Sequence, residues 1–171
     1  MNLKDALQSR RSIRKYKDRS IEQDVVESIL EMAETAPSAG NFRAREYFVV
    51  TRPEIKTMLS MAAYGQEHVA KAPVLIVVCA DPMKSERRYG DRGHLYCIQD
   101  AASAATCILL SAQNTGLGSC WTGAFDDEAV KDVLAIPERL IPTAIITLGW
   151  PDEKPTPPSG QDMAEAVHWV K

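Results

Sequence analysis

The chain has little with which to carry out acid–base or metal chemistry. Only three histidines occur in 171 residues, and His68 and His94 stand alone. No Ser-His-Asp arrangement, paired-acid site or metal-ligand spacing surrounds them. The four cysteines, Cys79, Cys97, Cys107 and Cys120, form no CxxC pair and sit in apolar runs. That excludes a zinc ribbon or a disulfide-stapled scaffold and points to reduced, buried thiols in a cytoplasmic protein. Neither charge sign dominates: 20 basic against 23 acidic residues leave a net charge of −3. A dedicated nucleic-acid binder is therefore not expected. The opening residues, MNLKDALQSRR, contain no apolar signal region, and no run of 18 apolar residues suggests a membrane span. Internal repeats and low-complexity segments are also missing.

What remains is an ordinary globular composition, 45% hydrophobic and 25% charged, in a length suited to one domain. Its strongest local pattern begins at His94 and continues for about 22 residues, roughly 33 Å of helix. Leu95, Ile98, Ala102, Ala105, Ile108, Leu109 and Ala112 recur at three- and four-residue spacing, and Ala and Ser fill much of the remaining surface. A helix apolar nearly all round is buried on several sides, so this one is expected at the centre of the fold. Gln99, Asp100, Gln113 and Asn114 interrupt it too often for a bilayer. Gly116 is suited to the left-handed position just beyond the helix end. The following LGSCWTG reads as a strand punctuated by glycine, with Gly118 and Gly123 leaving backbone uncovered for a flat ligand. The GxG here follows a helix and precedes a strand, the reverse of the dinucleotide-binding fingerprint.

Along the rest of the chain, residues 2–9 read as a short helix with Leu3, Ala6 and Leu7 inward. Residues 21–36 form an amphipathic helix with Val25, Ile29, Met32 and Ala33 in register. Pro37-Ser38-Ala39-Gly40-Asn41 is a polar turn of small residues. Residues 46–51 are a strand, and residues 53–64 a helix carrying Ile55, Met58, Leu59 and Ala62. APVLIVVCA is continuously apolar, as an interior strand covered on both faces should be. The polar run DPMKSERRYGDRG over residues 81–93 is long for a connector and is expected to be a mobile loop or lid. Asp126 is placed to cap a short helix over residues 127–135. TAIITLGW is the last strong strand, and the proline-rich stretch after it cannot join a sheet interior. Residues 161–171 read as a terminal helix or arm. Four strands with helices between and around them give an α/β or α+β sheet sandwich.

One cluster stands out against the acidic average: Arg10, Arg11, Arg14, Lys15, Lys17 and Arg19 crowd into RRSIRKYKDR. The plain reading is a solvated face whose cations complement a helix C-terminus. The alternative is a phosphate cradle, in which Ser12 and Arg14 point to a common side of an extended segment.

Taken together, RRSIRKY, APSAGN, GLGSCWTGAF and LGWPDEKP resemble the flavin-dependent nitroreductase family, in order and at similar separations along the whole chain. The resemblance implies an α+β fold with a helix-flanked sheet, a long central helix and an intertwined homodimer with two FMN sites at its interface. It implies that Arg10 and Ser12 hold the FMN phosphate and ribityl chain with Arg11 close by. Arg14 would lie at the flavin N1–C2=O edge, where a fixed cation stabilises developing negative charge. Pro37, Ser38, Ala39 and Asn41 correspond to the loop that reaches the flavin from the partner subunit. Trp121, Thr122, Gly123 and Ala124 correspond to the segment over the ring. Relatives often carry an arginine in the proline-rich tail that completes the phosphate site; residues 156–161 hold none here, so Lys154 is the candidate substitute and Arg10 and Arg11 are expected to do more of that work. Phe42-Arg43-Ala44-Arg45 replaces a Gln-Pro-Trp-like run.

The implied activity is an FMN-dependent oxidoreductase that takes hydride from NADH or NADPH and reduces nitroaromatics, quinones or similar acceptors by a ping-pong scheme. It implies no catalytic acid or base and no metal, since the chemistry requires orientation in an apolar slot. A non-catalytic flavin sensor or store would share every binding residue. A basic nucleic-acid module would demand salt-dependent DNA binding, which the acidic remainder disfavours.

Overall fold

A computed structural model describes residues 1–157, 159–160 and 163–171. The elements, in chain order, are α1 (Leu3–Ser9), α2 (Gln23–Glu34), a 3-10 turn (Ala39–Asn41), β1 (Arg45–Val50), α3 (Pro53–Ala62), α4 (Glu67–Lys71) and β2 (Val74–Ala80). There follow α5 (Pro82–Tyr89), α6 (Arg92–Asn114), β3 (Gly118–Thr122), α7 (Asp127–Leu134), β4 (Ile141–Gly149) and α8 (Met163–Ala166). The strands form one antiparallel sheet in the order β1-β2-β4-β3.

Strand periodicity splits the core in two. In β2, Val74, Ile76, Val78 and Ala80 face one cluster, built with α2 and α6, while Leu75, Val77 and Cys79 face the other, beneath α3 and α7. Side chains alternate across a pleated strand, so an all-apolar run is stable only when both faces are covered. Every residue of β2 is buried, as its composition predicts.

The central helix α6 packs Cys97, Ala101, Ala104, Ala105, Ile108, Leu109 and Ala112 against the first cluster. Small residues bring its backbone close to the sheet. By length and composition alone it could cross a membrane; here its apolar face is used against the sheet and α2. Gly116 closes it at φ +81°, the left-handed cap expected of it.

Several sequence expectations need correction. Residues 81–93 are not a loop. Asp81 caps α5 by accepting from the Met83 N–H at 3.1 Å, Pro82 fits the first helical turn, and α6 starts at Arg92. Gly93 allows the two helices to touch, since a Cβ there would lie 2.5 Å from the Glu86 nitrogen. In α1 only Ala6 is buried; Leu3 and Leu7 are 69% and 56% exposed. In α2 the inward residues are Val26, Ile29 and Ala33, with Met32 exposed. Leu95 and Met58 are exposed as well. The 3.6-residue period locates an apolar stripe but does not say whether this chain covers it. Of the expected terminal arm, Gln161 and Asp162 lie outside the described residues; the short α8 is followed by exposed Val167, Trp169 and Val170.

Candidate functional site

The basic segment is placed by two glycines and one threonine. Ser12 bridges Ser119 in parallel and Tyr16 bridges Pro151 in antiparallel fashion, so residues 12–16 run along the sheet edge beyond β3 and β4. The Ile13 N–H donates to Ser119 O at 2.9 Å, and the Lys17 N–H to Trp150 O at 2.9 Å. A Cβ on Gly118 would meet Ile13 at 2.8 Å, and one on Gly149 would meet the Tyr16 ring at 2.4 Å. The bare backbone of Gly118 is therefore occupied by Ile13, which corrects the reading that it lies open to a ligand. Thr147, fully buried in β4, shares a 2.6 Å hydrogen bond with the Tyr16 hydroxyl. Burial raises the Tyr16 phenol well above its ordinary range and keeps it neutral.

The cations of this segment divide into two kinds. Arg11 folds back onto the C-terminal end of α1, its Nη1 donating to Gln8 O at 2.9 Å and Arg10 O at 2.6 Å. This is the helix-complementing role that basic residues often take. Its Nε, however, is buried with no acceptor. The side chains of Arg10 and Arg14 have no hydrogen bond or ion pair among the described residues. Arg14, Ser12 and Arg10 all bear on Cys120, whose thiol is raised by burial and pulled back by these neighbours. They therefore gather on one side of the strand, as alternation around Ile13 requires.

Glu153 fixes the same segment from the tail: one carboxylate oxygen accepts from the Arg14 and Lys15 N–H groups. It borders two cavities. One, of about 340 Å³, lies between Arg11, Ile13, Gly118 and Lys154. The other, of about 540 Å³, is lined by Arg14, Lys15, Tyr16, Glu67, His68 and Lys71. Arg11 and Lys154 thus meet at one cavity, and Arg14 stands at the next.

Trp121 and Thr122 end β3, with Trp121 half-buried and Thr122 buried; Gly123 and Ala124 follow, exposed. No acceptor is found for the Gly123 or Ala124 N–H among the described residues. Gln66 donates to Ala124 O at 2.9 Å, and His68 Nε2 lies 2.8 Å from Thr122 Oγ1. Burial and the Arg14 charge lower the His68 pKa, so the ring is neutral near pH 7.

Pro37, Ser38, Ala39 and Asn41 lie elsewhere in the chain. Asp100, buried in the middle of α6, accepts from the Ala39 N–H at 2.9 Å and the Ala44 N–H at 3.3 Å. Gln113, thirteen residues further along α6, donates to Ser9 at the end of α1 at 3.1 Å. Thirteen residues of α-helix span about 20 Å. The expected residues therefore fall into two separated groups within one chain, Arg10 to Arg14 with residues 121–124, and the 37–41 turn. Gly40, Asn41 and Arg43 all have positive φ, conformations that glycine and asparagine tolerate best. The departing run Phe42–Arg45 is partly structural: buried Arg45 donates to Glu34 O and Ala36 O at the end of α2 and pairs with Glu34 at 3.0 Å. Phe42 and Arg43 stay exposed.

Asp100, Gln66, His68 and Glu153, none of them among the expected residues, hold the segments that carry those residues. Asp100 carried a signal, a lone carboxylate in an otherwise apolar helix. The others make contacts that only the fold creates.

A model of the Nitroreductase family matches residues 7–66 and 56–150. A Methanothermobacter thermautotrophicus protein with the provisional name NADH dehydrogenase/NAD(P)H nitroreductase is 37% identical over 160 residues, covering 91% of this chain and 80% of that one. The NADH dehydrogenase of Thermus thermophilus is 32% identical over 197 residues, covering 99% and 96%. The solved structure of an FMN-dependent nitroreductase from Clostridium difficile superposes with a TM-score of 0.83 at 31% identity, covering 99% of each chain. Family match, sequence identity and superposition each extend over most of the chain, which belongs to the nitroreductase family.

Proposed function

We propose that the protein is an FMN-dependent NAD(P)H oxidoreductase that works as a homodimer and reduces nitroaromatics, quinones or similar small acceptors by a ping-pong mechanism. The observation that carries this reading is the pair of uncommitted cations, Arg10 and Arg14, on the segment that runs parallel to β3, together with the partnerless N–H groups of Gly123 and Ala124 just beyond the end of that strand. Such a donor set suits a phosphorylated, flat heterocycle. The names of the relatives, among them an FMN reductase of Bacillus subtilis, support the same cofactor.

In this reading Arg10 and Ser12 bind the phosphate and ribityl chain, with Lys154 and the unpaired Arg11 Nε closing that end. Arg14 presents a fixed positive charge to the ring edge, and the Gly123 and Ala124 amides orient the ring while Trp121 and Thr122 support them from β3. When bound, FMN supplies the two-electron hydride chemistry; the protein contributes position, charge and exclusion of water. Pro37, Ser38, Ala39 and Asn41 come from the second copy. The roughly 20 Å along α6 between the two half-sites supports this, as do Leu3, Met32 and Leu110 around one unfilled groove of about 430 Å³. The four free cysteines suit a cytoplasmic setting.

The purified protein should be yellow, sediment as a dimer, and oxidise NADH or NADPH when menadione or a nitroaromatic is added. A colourless monomer that ignores added FMN would overturn the proposal. A yellow protein that turns over no acceptor would instead mark a flavin store.

A further inference from the structure

In the exposed segment after β3 the N–H groups of Gly123 and Ala124 have no acceptor among the described residues, yet the proposed site requires those amides to be held still. Besides the burial of Phe125 in the second core cluster, the segment is tied by hydrogen bonds to the corner joining α3 to α4. The Asp126 N–H donates to Ala62 O at 2.9 Å, Gln66 Nε2 to Ala124 O at 2.9 Å, and His68 meets Thr122 at 2.8 Å. Tyr64 at φ 56° and Gly65 at φ 76° turn the corner sharply enough to aim Gln66 and His68 back at the strand end. Of these anchors the His68–Thr122 pair is the most enclosed, with the two residues 8% and 3% exposed. A buried hydrogen bond costs most when one partner is removed, because the other is left unsatisfied. His68 also borders the cavity that holds Arg14, so a single imidazole touches both the strand end and the wall carrying the ring-edge cation.

We infer that His68 is a positioning residue: through Thr122 it fixes the end of β3 and so sets where the Gly123 and Ala124 amides stand relative to Arg14. The inference rests on the flavin-site reading for its purpose, but its geometry can be tested without flavin. A neutral ring is what the arrangement needs, since one nitrogen serves Thr122 while a second positive charge beside Arg14 would be repelled.

The test uses the full chain and three variants, His68→Phe, His68→Gln and Thr122→Val. Amide exchange of the apoprotein is followed in the peptide spanning residues 120–127. Loss of one buried hydrogen bond should accelerate exchange there about tenfold. His68→Phe and Thr122→Val should act alike and not additively, and His68→Gln, which keeps a polar group near the Nε2 position, should restore protection. Thr143→Val, which removes a hydrogen bond to Val78 O at the other end of β4, should leave this peptide unchanged. In the FMN-loaded protein the midpoint potential should move in His68→Phe and return in His68→Gln. Unchanged exchange in His68→Phe and Thr122→Val, in a wild type that carries FMN, would overturn the inference. If the wild type takes up no FMN, the flavin-site reading falls, and the exchange data still decide whether the clamp exists.

Discussion

Arg10 and Arg14 are two pleat repeats apart along an extended segment, and their electrostatic neighbours differ. Arg14 acts electrostatically on Tyr16, His68 and Cys120, whereas Arg10 reaches only Cys120 among these. Arg10→Ala should therefore weaken FMN retention, by about 10- to 100-fold if a charge-assisted bond of about 1.5–3 kcal/mol is lost. Arg14→Ala should mainly lower the flavin midpoint potential, by about 30–60 mV on the same energy scale, and slow reduction by NAD(P)H. Flavin titration and potentiometry on both variants separate the roles, and indistinguishable behaviour would refute them. His68 makes a second prediction. Its native pKa lies below the ordinary value of about 6.5, so the unfolded chain binds more protons as pH falls. Its contribution to stability is complete above about pH 6.5 and is lost as pH drops through that value toward the native pKa. Melting temperature should fall between pH 7 and 5.5, with Glu67, Glu153, Lys71 and Arg14 sharing the cavity, and His68→Gln should remove the part of that fall due to the imidazole.

Among the elements, glycine decides which pieces can touch. Gly149→Ala would put a Cβ 2.4 Å from Tyr16, and Gly93→Ala would put one 2.5 Å from backbone of α5. Overpacking of this kind costs about 1–3 kcal/mol, which corresponds to a melting point lower by roughly 2–10 °C in a chain of this size. Thermal melts should show both losses, and Gly149→Ala should also loosen FMN because it displaces the basic segment from the sheet. Gly65→Ala supplies a contrast: a Cβ there meets nothing, but φ is +76°, so its cost is conformational alone. Two of the three buried thiols, on opposite faces of the sheet, behave as packing groups: burial pushes Cys79 up to about 12 and Cys97 up to about 11, and neither should react with a thiol reagent in the folded protein.

For the whole molecule, the uncovered groove formed by Leu3, Met32 and Leu110 is where a second copy should matter most. Leu3→Glu combined with Met32→Glu should give a folded monomer in sedimentation velocity. FMN affinity should fall at least tenfold, because residues 37–41 of a second copy would no longer complete the site. A monomer that binds FMN as tightly as the parent would show that one chain suffices.

The sequence alone determined the parts whose cause is local. An unbroken run of β-branched and apolar residues reads as an interior strand, a stripe of small apolar residues over six turns broken by polar ones reads as a packed helix, and Gly116 suits its end. Asp126 capped its helix as expected, accepting from the Ala129 N–H at 2.9 Å. The clustering of Arg10, Ser12 and Arg14 on one side was equally legible, because alternation in an extended chain is a property of the backbone. Tertiary structure decided what depends on a distant partner. It made residues 81–93 helical by packing them on α6, gave Gly118 and Gly149 to Ile13 and Tyr16, and brought His68, 54 residues away in sequence, to Thr122. It also left Leu3, Leu7 and Met32 uncovered. Periodicity records that a face is apolar, but only the fold determines whether its partner lies in the same chain.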